Sequence, residues 1–183
     1  MKNYILLLCC FLVIACNDDV QIKPNAKLRL EYPAPVYKKV DTDCAYDFDV
    51  NKLARVIKTK NCGTRLSYPS MNAAVYINYQ KVRNNNLNSL LYDAQKLAYN
   101  HDRVAISIPE KLFENKDHNT YGVFYSINGD AASQSHFYLT DSLQNFVTGS
   151  LYFDVKPNFD SIYPAVVYLR EDIMHLMETL EWN

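Results

Sequence analysis

Residues 120–154 read TYGVFYSINGDAASQSHFYLTDSLQNFVTGSLYFD, and their periodicity decides what kind of domain this chain forms. Tyr121, Val123, Tyr125 and Ile127 alternate with Gly122, Phe124 and Ser126, the two-residue period of a strand. Asn128-Gly129-Asp130 follows, residue types that tolerate positive φ, and predicts a tight hairpin. His136 to Thr140 alternates again, Asp141-Ser142 predicts a turn, and Phe146 to Asp154 predicts a third strand with Val147, Gly149, Leu151 and Phe153 on one face. Three successive strands of this kind form an antiparallel meander.

Beyond Pro157-Asn158 the period changes. Val166, Leu169, Ile173, Met177 and Leu180 recur at three- and four-residue steps, which predicts a long C-terminal helix with Pro164 in its first turn. A half-apolar sheet and an apolar helix stripe each need a partner, and laying the helix across the sheet satisfies both. Upstream, Leu28 and Leu30 predict an edge strand ended by Pro33 and Pro35. Short strands are expected at Tyr46 to Val50, Arg65 to Tyr68 and Ala73 to Tyr79. Leu87, Leu90, Leu91, Ala94, Leu97 and Ala98 predict a middle helix that stops near Asn100, with N-cap oxygens from Asn84-Asn85-Asn86. Val104 to Ile108 predicts another strand, ended by Pro109, and Glu114 to Asn119 a loop. The expected fold class is α+β: a single domain, mostly antiparallel β-sheet, packed by a middle helix and a long C-terminal helix. PsbP- and Mog1-like domains offer a fold analogy, which says little about function.

A chain of 183 residues has room for one domain with a sizeable core. With 49% hydrophobic and 21% charged residues it does not have the composition of a disordered protein, and its 15 tyrosines suggest a sheet with one amphipathic face. A net charge of -1 gives no pull toward nucleic acid. The four glycines, Gly63, Gly122, Gly129 and Gly149, stand too far apart to write a phosphate loop, a dinucleotide fingerprint or a G-x-S-x-G elbow.

Met1-Lys2-Asn3 and the apolar run Tyr4 to Ala15 read as a secretory leader, too short to span a bilayer. The run ends in Val13-Ile14-Ala15-Cys16, which resembles a bacterial lipobox. That resemblance implies cleavage before Cys16 and acylation of both its thiol and its new amino group. Acyl chains contribute about 0.8 kcal/mol per buried methylene, so three of them hold a protein on a membrane without a spanning helix. The expected organisation is a signal peptide over residues 1–15, the acylated Cys16 and a polar tether over 16–26, and one globular domain over 27–183. Asn17-Asp18-Asp19 resembles the export tag of some surface lipoproteins and also reads as a plain solvated linker.

With Cys9 and Cys10 in the leader and Cys16 acylated, Cys44 and Cys62 remain as an even pair in an oxidising compartment, and a disulfide is the economical reading. A redox couple usually has C-x-x-C spacing, and half a zinc site would need clustered histidines. His101, His118, His136 and His175 show no metal spacing; His136 is expected to face solvent and His175 to flank the last helix's apolar stripe. Asp154, Asn158, Asp160 and Asp172 place several oxygens near one another in sequence, which a hard cation such as calcium could use, although turn and cap duties are more ordinary for them. Ser133 and Ser135 have no base at hand. No catalytic residue, metal ligand or cofactor is assigned.

The lipobox, the Cys44-x-Tyr46-x-Phe48 strand, Cys62 leading to Tyr68-Pro69 and the Asn-rich start of the middle helix resemble the gliding motility lipoprotein GldD family. The C-terminal third is similar in the same order: Tyr121 to Ile127, Asn128-Gly129, Phe137 to Ser142, Gly149 to Phe153, and Met177 to Trp182. The resemblance covers about residues 27–183. It implies a lipid-anchored envelope protein, most readily of the outer membrane, needed for gliding and tied to type IX secretion of the motility adhesins. It brings no catalytic residue, so the implied role is a non-enzymatic scaffold or assembly factor whose partners are the membrane, through Cys16, and other gliding or secretion proteins. Two other readings stay open. An envelope module binding a ligand or glycan would show a deep aromatic pocket, and a hydrolase would show titratable groups with shifted pKa values in a cleft.

Overall fold

The computed structural model describes residues 30–183. The leader, Cys16, the whole tether and residues 27–29 of the expected edge strand lie outside them. Leu30 to Val36 carries no ladder, consistent with the two prolines in it. Among the described residues no helix is long and apolar enough to cross a membrane.

The strands are β1 (Tyr37–Asp41), β2 (Tyr46–Asn51), β3 (Arg55–Lys58), β4 (Thr64–Tyr68), β5 (Ala73–Lys81), β6 (Ala105–Ser107), β7 (Glu110–Asn115), β8 (Thr120–Ser126), β9 (Asn128–Gly129), β10 (Ser133–Thr140), β11 (Asn145–Phe153) and β12 (Glu181–Trp182). The helices are α1 (Leu87–Tyr99) and α2 (Phe159–Thr179). Seven strands form one sheet in the order β3-β4-β5-β11-β10-β8-β7, three form a second in the order β1-β2-β12, and β6 pairs with β9. Every pairing is antiparallel. The middle of the large sheet is the expected meander, β8, β10 and β11, extended by β5.

One apolar cluster joins the inner face of the large sheet, the inner face of the small sheet and the α2 stripe. Leu66, Val75, Ile77, Phe124, Phe137, Leu139, Val147 and Leu151 come from the first, Tyr46, Phe48 and Val50 from the second, and Val166, Leu169, Ile173, Leu176 and Met177 from α2. Gly149 sits opposite Phe137 across the ladder, and a Cβ there would stand 2.0 Å from the Phe137 ring. The glycine is the space into which that ring packs. The outer face of the large sheet is covered only in part, by α1, whose Leu90, Ala94 and Ala98 meet Phe146, Val123, Tyr125 and Tyr138.

Cys44 and Cys62 are joined in a disulfide, with Cα atoms 5.8 Å apart. It ties the start of β2 to the turn before β4, and the Tyr46 hydroxyl donates to the Cys62 carbonyl at 2.8 Å beside it.

Several local expectations need correction. Helix α2 begins at Phe159, so Pro164 lies in its second turn and leaves the Asp160 carbonyl without its usual donor; Asn158 caps the start by accepting from the Ser161 N–H at 3.3 Å. The side chains of Asn84-Asn85-Asn86 do not cap α1. Asn84 and Asn85 turn the chain at positive φ, and Asn86 accepts from the Arg83 N–H instead. Asn128-Gly129 is no tight hairpin: Gly129 has positive φ, but the pair forms β9 against β6, and eight residues separate the ladder partners Ser126 and Ser135. Arg170 of α2 explains why this longer connection is stable. Its guanidinium donates to the Ile127 and Gln134 carbonyls at 3.0 and 2.9 Å, to Asn128 Oδ1 at 3.0 Å and to Ser135 Oγ at 3.3 Å. Glu114 and Asn115 belong to β7 rather than to the loop that follows.

Ile173 is 2% exposed and packs in the joint core, so Ile173→Asp places an unpaired carboxylate where nothing solvates it. The expected loss is about 3 kcal/mol or more in urea unfolding, against little change for Val167→Asp on the half-exposed side of the same helix. Equal midpoints for the two variants would contradict this packing.

Candidate functional site

On the outer face of the large sheet the register builds a transverse row of polar and aromatic side chains. Arg65 stands opposite Tyr76, Tyr76 opposite Ser150, Ser150 opposite His136, His136 opposite Tyr125, and Tyr125 opposite Glu110. These residues come from six strands far apart in sequence, which is why no local spacing announced them.

The middle of the row is buried. His136 is 2% exposed, contrary to the expectation that it faces solvent, because α1 and its C-terminal turn cover this part of the sheet. Its Nδ1 lies 2.6 Å from Ser150 Oγ, and its Nε2 lies 3.2 Å from His101 Nε2, just beyond the end of α1. One neutral arrangement has Ser150 donating to His136, whose other ring N–H donates to His101; the reverse chain is equally satisfied. Burial, then the neighbouring His101, pushes the His136 pKa down to about 4, and burial lowers His101 as well. The fold thus brings a serine and two histidines together. The arrangement can relay a hydrogen bond, but among the described residues no carboxylate bonds to either imidazole.

The Arg65 end of the row is open. Arg65, Ser67, Asn72, Ala74, Tyr76 and Tyr152 are among the residues lining a groove of about 600 Å³, with Asp154 at its far side. Tyr76 and Tyr152 meet edge to face with centroids 5.8 Å apart, and the Arg65 guanidinium lies 5.3 Å from the Tyr76 ring centre. The Arg65 Nε is buried without a hydrogen-bond partner. A second groove, between α1 and β7, is lined mainly by apolar groups including Leu87, Leu91, Leu112 and Val123.

The other buried polar centre is Asp172 on α2. Its carboxylate accepts from Tyr37 Oη at 2.9 Å, from Asn51 Nδ2 at 3.1 and 2.9 Å, and from the Tyr68 hydroxyl. Burial raises its pKa, and those donors work against the rise. The space around it is too small to hold water. Asp172's hydrogen-bond partners thus do not include Asp154, Asn158 or Asp160, and Asn158 takes the cap duty that is ordinary for it; among the described residues no group of three or more His, Cys, Asp or Glu could hold a metal. His175 stacks on Tyr37 with ring centres 3.6 Å apart and has Nε2 3.7 Å from the Asp49 carboxylate; His118 lies 3.9 Å from Glu181. Ser133 and Ser135 are buried in the bulge at the start of β10, donating to the Leu151 and Gln134 carbonyls, and have no base beside them.

His136 makes a pH prediction. Its pKa falls on folding from about 6.5 to about 4, so between those values the unfolded chain takes up a proton that the folded chain refuses. The contribution of the neutral imidazole is whole above pH 6.5, declines as the pH falls, and levels off below pH 4 after a loss of order 3 kcal/mol. Asp172, with its pKa raised, acts in the opposite sense, so the difference between wild type and His136→Gln isolates the histidine. Chemical unfolding at pH 7 and pH 4.5 is expected to show the stability gap narrowing in acid. A gap of constant size would mean that His136 titrates normally in the folded protein.

No curated protein sequence matches this chain. A family model described as gliding motility lipoprotein GldD matches residues 17–182, which include both sheets, both helices, the groove and the buried His136 and Asp172 centres. The chain belongs to the GldD family of gliding motility lipoproteins.

Proposed function

We propose that the protein is a lipid-anchored component of the cell envelope that serves gliding motility and type IX secretion of the motility adhesins as a non-enzymatic scaffold or assembly factor. The observation that carries this reading is the family match over nearly the whole chain. In the proposed organisation residues 1–15 are removed, Cys16 carries the acyl chains, residues 16–26 are the tether, and residues 27–183 form the domain presented at the outer membrane, on its periplasmic face or at the cell surface. The polar interior supports a structural role. Asp172, His136 and Arg170 each spend their hydrogen bonds on joining elements of the fold, the space beside Asp172 holds no water-sized molecule, and His136 is buried. Other gliding and secretion proteins are the proposed partners, together with the membrane through Cys16.

If tethering and surface shape do the work, deleting the protein from a gliding bacterium stops spreading and lowers adhesin secretion. A Cys16→Ala chain should take up no labelled palmitate and rescue poorly. Alanine at His101, His118, His136 or His175 should leave motility near normal wherever the variant still folds, because a scaffold gives the imidazoles no proton to move. Full rescue by unacylated protein, combined with loss of rescue by one stable histidine variant, would overturn the scaffold reading.

A further inference from the structure

The open end of the transverse row has features that the fold does not use for itself. Arg65 projects from β4 on the face opposite Leu66, and among the described residues its guanidinium has neither a carboxylate partner nor a hydrogen-bond acceptor. Its contact is the Tyr76 ring, which holds the cation in place while leaving its N–H groups uncommitted. A cation fixed by stacking and left without an anion, at the edge of a groove of about 600 Å³, is a binding group.

The register gives the groove a direction. Arg65 and Tyr76 lie in the row of Ser150; Ser67 and Ala74 lie in the row of Tyr152; Asn72 lies beside Asp154, whose N–H donates to the Asn72 carbonyl at 2.7 Å. Ser150 and Asp154 are four residues apart along β11 and its extension, so the row that holds Arg65 and the row that holds Asp154 are offset by about 13 Å along the strand direction, with Arg65 two strands to the side of Ser150. Between them lie Ser67 and Ala74, small residues that leave depth, beside one aromatic surface made by the Tyr76 and Tyr152 rings in edge-to-face contact. An occupant must carry an anionic group at the Arg65 end and hydrogen-bond donors at the Asp154 end. It must also be flat and weakly apolar on the faces that meet the tyrosines.

A pyranose ring has such a shape, with a face of C–H bonds and a rim of hydroxyls, and two rings in a row fill the length. An extended peptide fits less well. The floor strands β4, β5 and β11 are internal to the sheet, so their backbone groups are already paired and offer no edge for strand addition. A phosphate ligand would bring nearly two negative charges to one cation and one carboxylate. We infer that this groove binds a carboxylate-bearing oligosaccharide, the acid on Arg65, the sugar faces on Tyr76 and Tyr152, and the hydroxyls on Ser67, Asn72 and Asp154. The inference uses the envelope location implied by the lipoprotein family but not the scaffold reading, and failure of either leaves the other standing.

Carboxylated sugars in an envelope come from acidic polysaccharide or from the lactyl ether of a muramic-acid unit, and the test separates the two. The full chain in detergent is titrated by calorimetry with trigalacturonate, with its neutral methyl ester, and with an N-acetylglucosamine to N-acetylmuramic acid disaccharide. Binding of at least one acid is expected, with the neutral ester at least about tenfold weaker, the loss of one charge-assisted contact. Arg65→Gln should erase the preference for acid over ester, and Tyr152→Ala should weaken both. Both side chains are only partly buried, so unfolding midpoints near wild type are expected to accompany those losses. Whichever acid binds more tightly names the source. No binding of either acid at millimolar concentration, equal affinity for acid and ester, or an unchanged preference in Arg65→Gln would each overturn the inference.

Discussion

The structure depends on one buried carboxylate. Asp172 projects from α2 into the junction of both sheets and is solvated by Tyr37 of β1, Asn51 of β2 and Tyr68 of β4 in place of water. Taking a carboxyl group out of water is costly, and the cost is met only while every donor is in position. Three separate strands are therefore held to one point on the helix. Tyr168, one turn earlier on α2, extends the same network: it accepts from Asn51 at 2.8 Å and donates to the Pro33 carbonyl at 3.0 Å. The irregular entry segment, both sheets and the long helix are thus fastened together by hydrogen bonds that only this arrangement satisfies. The apolar core supplies the bulk of the stabilisation, and the Asp172 network selects which packing of the layers is native.

On the other side of the large sheet the economy is different. Helix α1 is shorter than the sheet it covers, and it seals the half that contains His136 and Tyr125. The half built from β4, β5 and the end of β11 stays open, and the aromatic groove forms there. One face of the sheet makes the core, and the other is divided between a structural seal and an accessible surface.

The central strands and both helices were legible in the sequence because each buries a face and so shows its period. The strands that were missed are β1, β3, β7, β9 and β12, and each is at the edge of its sheet. Val40 is the one buried residue of β1, and Leu112 in the middle of β7 is 82% exposed, so neither carries an alternation to read. His136 was misplaced for a related reason. Its alternation with Phe137 correctly sent it to the opposite face, but nothing local shows that α1 and His101 cover that face. The Arg65, Tyr76, Ser150 and His136 row is a product of register between strands, which no single stretch contains. The oxygens around Asp172 looked like neighbours in sequence, whereas its actual partners are 104 to 135 positions away. The Asp141 turn, by contrast, was visible because one side chain makes it, accepting from the N–H groups of Leu143, Gln144 and Asn145.

A domain that acts as a scaffold works by what it touches. Its surface carries exposed apolar side chains outside the core, among them Ile106, Leu112 and Leu143, at 84%, 82% and 77% exposure. The most direct test places a photo-crosslinking residue at each of these positions, and at Tyr92 and Val167 on the two helices, in cells that still glide. The account predicts adducts with other gliding or type IX secretion proteins from at least one position, and their disappearance when Cys16 is replaced by alanine. A motile strain with no protein adduct from any of the five positions would contradict the claim that this protein acts by holding other components together.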